Sequence, residues 1–149
     1  MSEVAIAPQD AAAARPSLRT HVTGMVVGGA LGFVGVIEAA LLSRQDAFIF
    51  LGVLLGGIGS VYLGFAIADG RTSAIAVQIA SALVFINVAF LGVVHESAVL
   101  LGLGYLGHAA WDAIHHEGHG PTRVRTWYPP FCVVADVVLA AALLSGVVT

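Results

Sequence analysis

The sequence predicts an all-α, polytopic membrane bundle of five transmembrane helices. Three observations predict it. Hydrophobic residues make up 58% of the 149 and charged residues 10%, against roughly 25% charged residues in an ordinary soluble domain. The mean hydropathy is +0.95, and the apolar residues gather into five runs near the length of about 20 needed to cross roughly 30 Å of hydrocarbon. The first four runs are joined by only two to four residues, which turns successive helices into antiparallel neighbours.

The first run extends from Thr20 to Ser43 and stops at Ser43-Arg44-Gln45-Asp46. The second, Ala47 to Ala68, ends at Asp69-Gly70-Arg71, where a glycine between two charges breaks the apolar pattern. The third, Thr72 to Val94, ends at His95-Glu96, and the fourth covers Ser97 to about His116. A longer loop, Glu117 to Pro130, carries Gly118, Gly120, Pro121, Pro129 and Pro130, which end one helix and delay the next. The fifth run, Phe131 to Val148, is the shortest.

Residues 1–18 contain Glu3, Pro8, Asp10 and Pro16 and no basic region ahead of a short apolar core, so they read as a disordered cytoplasmic tail and not a cleaved leader. Residues 19–149 then form the transmembrane domain. Positive charge is retained on the cytoplasmic side. With the N-terminus inside, that side holds Arg15, Arg19, Arg71, Arg123 and Arg125, and the outer side holds Arg44. The expected topology is N-in, C-out, in the cell membrane.

Composition also excludes functions. The chain has six basic residues, all arginine, and a net charge of -3, which leaves no basic surface for nucleic acid. Cys132 is the single cysteine, so neither an internal disulfide nor a cysteine metal cluster can form. The partner implied is the lipid bilayer. Small residues at four-residue spacing, Gly24, Gly28 and Gly32 on the first helix and Gly52, Gly56, Ser60 and Gly64 on the second, allow close helix approach. Such faces serve packing within the chain or a homo-oligomer.

Tyr62-Leu63-Gly64-Phe65-Ala66-Ile67-Ala68-Asp69 and Tyr105-Leu106-Gly107-His108-Ala109-Ala110-Trp111-Asp112 agree at five of eight positions. Setting Glu38 against Asn87 extends the match, giving two repeated hairpins plus one helix. In that alignment the histidines belong to the second copy alone.

Ionisable groups inside a span cost at least about 2.5 kcal/mol on insertion scales, so each is a candidate for function. His108, Asp112 and His115 fall at i, i+4 and i+7 and share one helical stripe. Cys132 and Asp136 lie one turn apart on the fifth helix, which starts on the same side of the membrane. Imidazole and carboxylate are the usual ligands of zinc, iron and manganese. Asp112, His115 and His119 are therefore the expected ligands of one divalent metal, with Asp136 as a further ligand or orienting partner. His108, deeper in the bilayer, is instead expected to be the acid/base or the proton entry point, and His108 and Asp136 are the catalytic candidates. The competing reading makes the same residues interhelical packing groups and solvated interfacial side chains. Near the outer face, Glu38 and Asn87 are expected to hydrogen-bond each other; Trp127 and Tyr128 suit a headgroup boundary.

The run Gly107-His108-Ala109-Ala110-Trp111-Asp112-Ala113-Ile114-His115-His116, with Trp127-Tyr128-Pro129-Pro130-Phe131-Cys132, resembles a group of uncharacterised small bacterial integral-membrane proteins that carries no assigned activity. Asp112-Ala113-Ile114-His115-His116 also resembles one histidine box of membrane di-iron desaturases and hydroxylases. Those enzymes use about eight or more histidines; this chain has six, so a full di-iron centre does not fit. Three functions remain, in this order: an accessory or structural membrane protein, a metal-dependent enzyme acting on a lipid or other apolar substrate, and a small proton-coupled carrier.

Overall fold

The computed structural model describes residues 18–148, and the tail expected at residues 1–18 falls outside it except for Leu18. Five α-helices follow in order: α1 (Leu18–Leu41), α2 (Arg44–Asp69), α3 (Thr72–Val94), α4 (Ala98–His115) and α5 (Tyr128–Leu144). A single 3-10 turn, His116–Gly118, follows α4, and there is no strand among the described residues.

Helices α1, α2 and α3 are long and apolar enough to cross a membrane. Helix α4 has 18 residues and α5 has 17, shorter than the runs expected there. Large apolar side chains point outward along the long helices, among them Val26, Phe33, Val53 and Phe90, each more than half exposed. An apolar exterior of this extent suits a hydrocarbon surround.

Local chemistry sets the helix ends. Ser43 caps α2 by accepting from the Asp46 backbone N–H at 3.3 Å, and Ser97 caps α4 through Leu100 at 3.2 Å. Gly70 closes α2 with a left-handed φ of 77°, a conformation a side chain would resist. Helix α5 differs from expectation: it begins at Tyr128, with Pro129 and Pro130 inside its first turn. The missing proline N–H costs nothing there, because the first turn has no intrahelical acceptor for it. The same helix stops at Leu144, where Gly146 takes a φ of 77°.

Helix α5 packs between α1 and α4, α4 also meets α3, and α3 lies along α2. Helices α1 and α2 touch only lightly, so the two hairpins of the proposed repeat do not pack alike. The glycine stripe of α1 is filled from within the chain. A Cβ at Gly24 would lie 2.7 Å from the Trp127 carbonyl oxygen, one at Gly28 would overlap the Phe131 carbonyl, and one at Gly32 would lie 3.0 Å from the Ala135 carbonyl. Backbone meets backbone along that seam. Leu51, Leu55, Leu101, Tyr105, Leu139 and Leu143 form the apolar core in one half of the bundle. The polar residues collect in the other half.

Candidate functional site

Helices α2, α4 and α5 each send a polar side chain to one point. His108 and Asp112 are one turn apart on α4, and Asp136 comes from α5; all three are at most 1% exposed. The His108 Nδ1 donates to Asp136 Oδ2 at 2.7 Å and lies 3.1 Å from Asp112 Oδ2. From α2, the Tyr62 hydroxyl donates to the other Asp112 oxygen, Oδ1, at 2.5 Å. One potential ligand atom from each of His108, Asp112 and Asp136 falls within 4.8 Å of the others. Asp112 Oδ2 and His108 Nε2 are buried without a hydrogen-bond partner.

The charge of this centre is unbalanced. With both carboxylates ionised the centre carries a formal charge of -2 around a neutral imidazole and -1 around an imidazolium. Burying such charge in a low-dielectric interior costs several kcal/mol per ion unless an opposite charge accompanies it. Among the described residues no arginine is paired with Asp112 or Asp136: Arg44 pairs with Glu96 at 3.0 Å, and Arg71 with Asp69 at 2.6 Å.

A second polar layer lies next to the first and is saturated. Gln78 on α3 donates through Nε2 to Thr122 Oγ1 and to His115 Nε2, both at 2.9 Å. Its Oε1 accepts from Trp111 Nε1 at 3.3 Å and from Ser81 Oγ at 3.0 Å. His115 Nδ1 in turn donates to the Trp111 carbonyl at 2.9 Å. This arrangement fixes a neutral His115 with both nitrogens engaged, so His115 joins α4 to α3 and offers no lone pair. Gly120 lies against the His115 ring, where a Cβ would overlap it.

His119, the third residue expected as a ligand, is not brought to the centre. It is exposed just past the 3-10 turn, with its Nδ1 bonded to the His116 carbonyl at 3.0 Å. The α4 helix ends at His115, so the stripe does not reach His119. The structure thus unites Asp112, expected as a ligand, with His108 and Asp136, expected as acid/base groups. Glu38 and Asn87 do not meet either. Both are exposed, and the Asn87 amide donates to the Leu83 carbonyl of its own helix at 2.7 Å.

Tyr62 was visible in the sequence as part of the repeat but not as a partner of Asp112, and Thr122 gave no signal. Around them, Tyr62, Tyr128 and Cys132 form a small buried cluster with Phe65 against it. The Tyr62 ring lies 4.4 Å from His115 and 5.7 Å from Tyr128. Below this layer, Arg71 Nη2 also donates to the Pro121 carbonyl at 3.0 Å, and the Arg123 N–H donates to Asp69 at 3.2 Å. The α4–α5 loop is thereby tied to the α2–α3 turn, and Asp69 raises the already high pKa of Arg71.

A family model described as a family of unknown function, DUF6010, matches residues 22–148. The chain belongs to the DUF6010 family. In this DUF6010 member the matched range contains every residue of both polar layers. No curated protein and no solved structure matches the chain.

Proposed function

We propose that this DUF6010 protein is a five-span integral membrane protein, N-terminus cytoplasmic and C-terminus outside, that binds one divalent transition-metal ion at His108, Asp112 and Asp136. Membrane insertion is supported by three helices of spanning length and by the apolar exterior. The orientation rests on the excess of arginine at the end where α1 begins. Residues 1–18 are assigned as the cytoplasmic tail.

One observation carries the metal assignment: Asp112 Oδ2 is fully buried, lacks a hydrogen-bond partner, and faces the imidazole of His108. A carboxylate oxygen in that position has desolvation to recover, and with His108 neutral a divalent ion would balance the charge of Asp112 and Asp136. The donor set of one imidazole nitrogen and two carboxylate oxygens suits manganese, iron or zinc. Tyr62 orients Asp112 from outside the coordination shell, as outer-shell partners of metal carboxylates do. Three protein donors leave a position for water or a substrate oxygen, as in open metal sites.

The test is elemental analysis of detergent-purified protein, with thermal midpoints measured before and after addition of Mn²⁺ or Zn²⁺. Stoichiometric metal is expected in the wild type and in His119→Ala, with loss in His108→Gln, Asp112→Asn and Asp136→Asn. The two asparagine variants keep the shape of the centre, and circular dichroism checks their fold. Folded wild type that takes up neither ion, or metal retained in both asparagine variants, overturns the assignment.

A further inference from the structure

The seam between α1 and α5 opens, at the end where α1 begins, into a groove of about 440 Å³. Arg19, Thr20 and Thr23 line its mouth side; Gly24, Val27, Trp127 and Phe131 line the rest. The chemistry is graded along the helix. Arg19 stands in the first turn of α1, Gly24 lies against the Trp127 backbone, and Val27 and Phe131 are two turns further in. A cationic and hydroxyl-bearing mouth leads into an apolar slot, with the indole of Trp127 half-exposed at the level where they meet.

We infer that this groove binds an anionic phospholipid, with the phosphate at Arg19 and one acyl chain laid along Val27 and Phe131. Three features support that occupant. First, Arg19 is exposed, lines the groove and forms no ion pair among the described residues, and of the arginines that share this state (Arg19, Arg123 and Arg125) it alone borders this groove. Arginine's planar donor fork matches a phosphate oxygen pair. Second, the slot cannot close on itself. A Cβ at Gly24 would meet the Trp127 carbonyl, so the helices are as close there as backbones allow, and the groove lies beside that contact. Third, on the proposed orientation the Arg19 mouth faces the leaflet that holds the anionic lipids, where each arginine near the surface favours an acidic head group by about 1 kcal/mol. Tryptophan at the head-group level completes the match, with an apolar ring and a polar N–H.

This inference rests on the membrane placement proposed above and is independent of the metal. It is tested on the full chain, reconstituted into phosphatidylcholine vesicles containing increasing fractions of brominated phosphatidylglycerol or, separately, brominated phosphatidylcholine. Tryptophan emission is quenched by nearby bromine. A Trp127→Phe variant identifies the signal that remains from Trp111. Brominated phosphatidylglycerol is expected to half-quench the Trp127 component at about a five-fold lower mole fraction than brominated phosphatidylcholine, the preference that a single arginine near an anionic surface confers. Arg19→Gln, a change at an exposed position, is expected to abolish the difference while leaving quenching by phosphatidylcholine intact.

Equal quenching by the two lipids in the wild type overturns the inference and leaves the groove to ordinary bilayer lipid or to residues 1–17, which carry Glu3 and Asp10. A preference that survives Arg19→Gln also overturns it, by placing the anionic head group elsewhere. Quenching by neither lipid overturns the membrane placement itself, a distinct result.

Discussion

Gly28 of α1 and Phe131 of α5 approach so closely that a single methyl group on Gly28 would occupy the space of the Phe131 carbonyl oxygen. The atom in the way is backbone, which cannot rotate aside like a side chain. Gly28→Ala is therefore expected to force α1 and α5 apart and lower stability by about 1–3 kcal/mol, the usual range for overpacking. Gly57→Ala, with no neighbour within 4 Å of the added atom, is the matched control and should leave the unfolding midpoint unchanged. Thermal unfolding in detergent followed by circular dichroism distinguishes the two.

Gln78 uses all of its amide hydrogen-bonding capacity on four partners in three segments of the chain. Replacing it by leucine keeps the volume but strands His115 Nε2 and Thr122 in an apolar interior. A loss of about 1–3 kcal/mol is expected for the groups left unsatisfied. Because this layer is separate from the carboxylates, metal content per folded molecule should not change. If Gln78→Leu removed metal from folded protein, His115 would have to be restored as a ligand.

Tyr62→Phe removes only the hydroxyl that holds Asp112 Oδ1. Weakening of metal affinity by about 10- to 100-fold is expected, as for other outer-shell partners of ligating carboxylates, with the site still occupied at saturating metal. Competition against a chelator of known affinity gives the number, and an unchanged affinity would detach Tyr62 from the centre.

The two ion pairs at the ends of the bundle should differ in weight. Arg44 and Glu96 are each about half exposed, at 58% and 47%, and Glu96→Gln is expected to cost no more than about 1 kcal/mol. Arg71 also holds the Pro121 carbonyl, and its partner Asp69 caps the Arg123 N–H. Arg71→Gln should therefore loosen the loop from residue 119 to 126, seen as faster hydrogen exchange there with little change in the midpoint of unfolding.

Much of this architecture could be read from the residues. Long apolar runs broken by Asp69-Gly70-Arg71 or Ser43-Arg44 leave little freedom in where helices stop, so α2 and α3 fall within a few residues of their expected limits. Helix α5 starts at Tyr128, ahead of the expected Phe131, because two prolines, which usually delay a helix, both fit in a first turn that needs no N–H. The i, i+4 spacing puts His108 and Asp112 on one face, and Asp136 meets that face from α5. What periodicity could not supply was the partner of each face. Only the packing of α5 between α1 and α4 turns His108 toward Asp136, and only the approach of α3 brings Gln78 to occupy His115. Thr122 lies in a loop, where no periodicity exists to mark it.

The position of α5 also sets an order of assembly. Chains are made from the N-terminus, and segments fold as they emerge. The glycine face of α1 must wait unfilled for a helix made more than a hundred residues later, and Asp112 must wait for the same arrival before the centre has its second carboxylate. Until then the half-built bundle presents an open backbone groove and an incomplete charge cluster to its surroundings. The last helix is thus both the wedge that finishes the packing and the delivery of the final acidic group, so maturation of the site and closure of the fold are a single event.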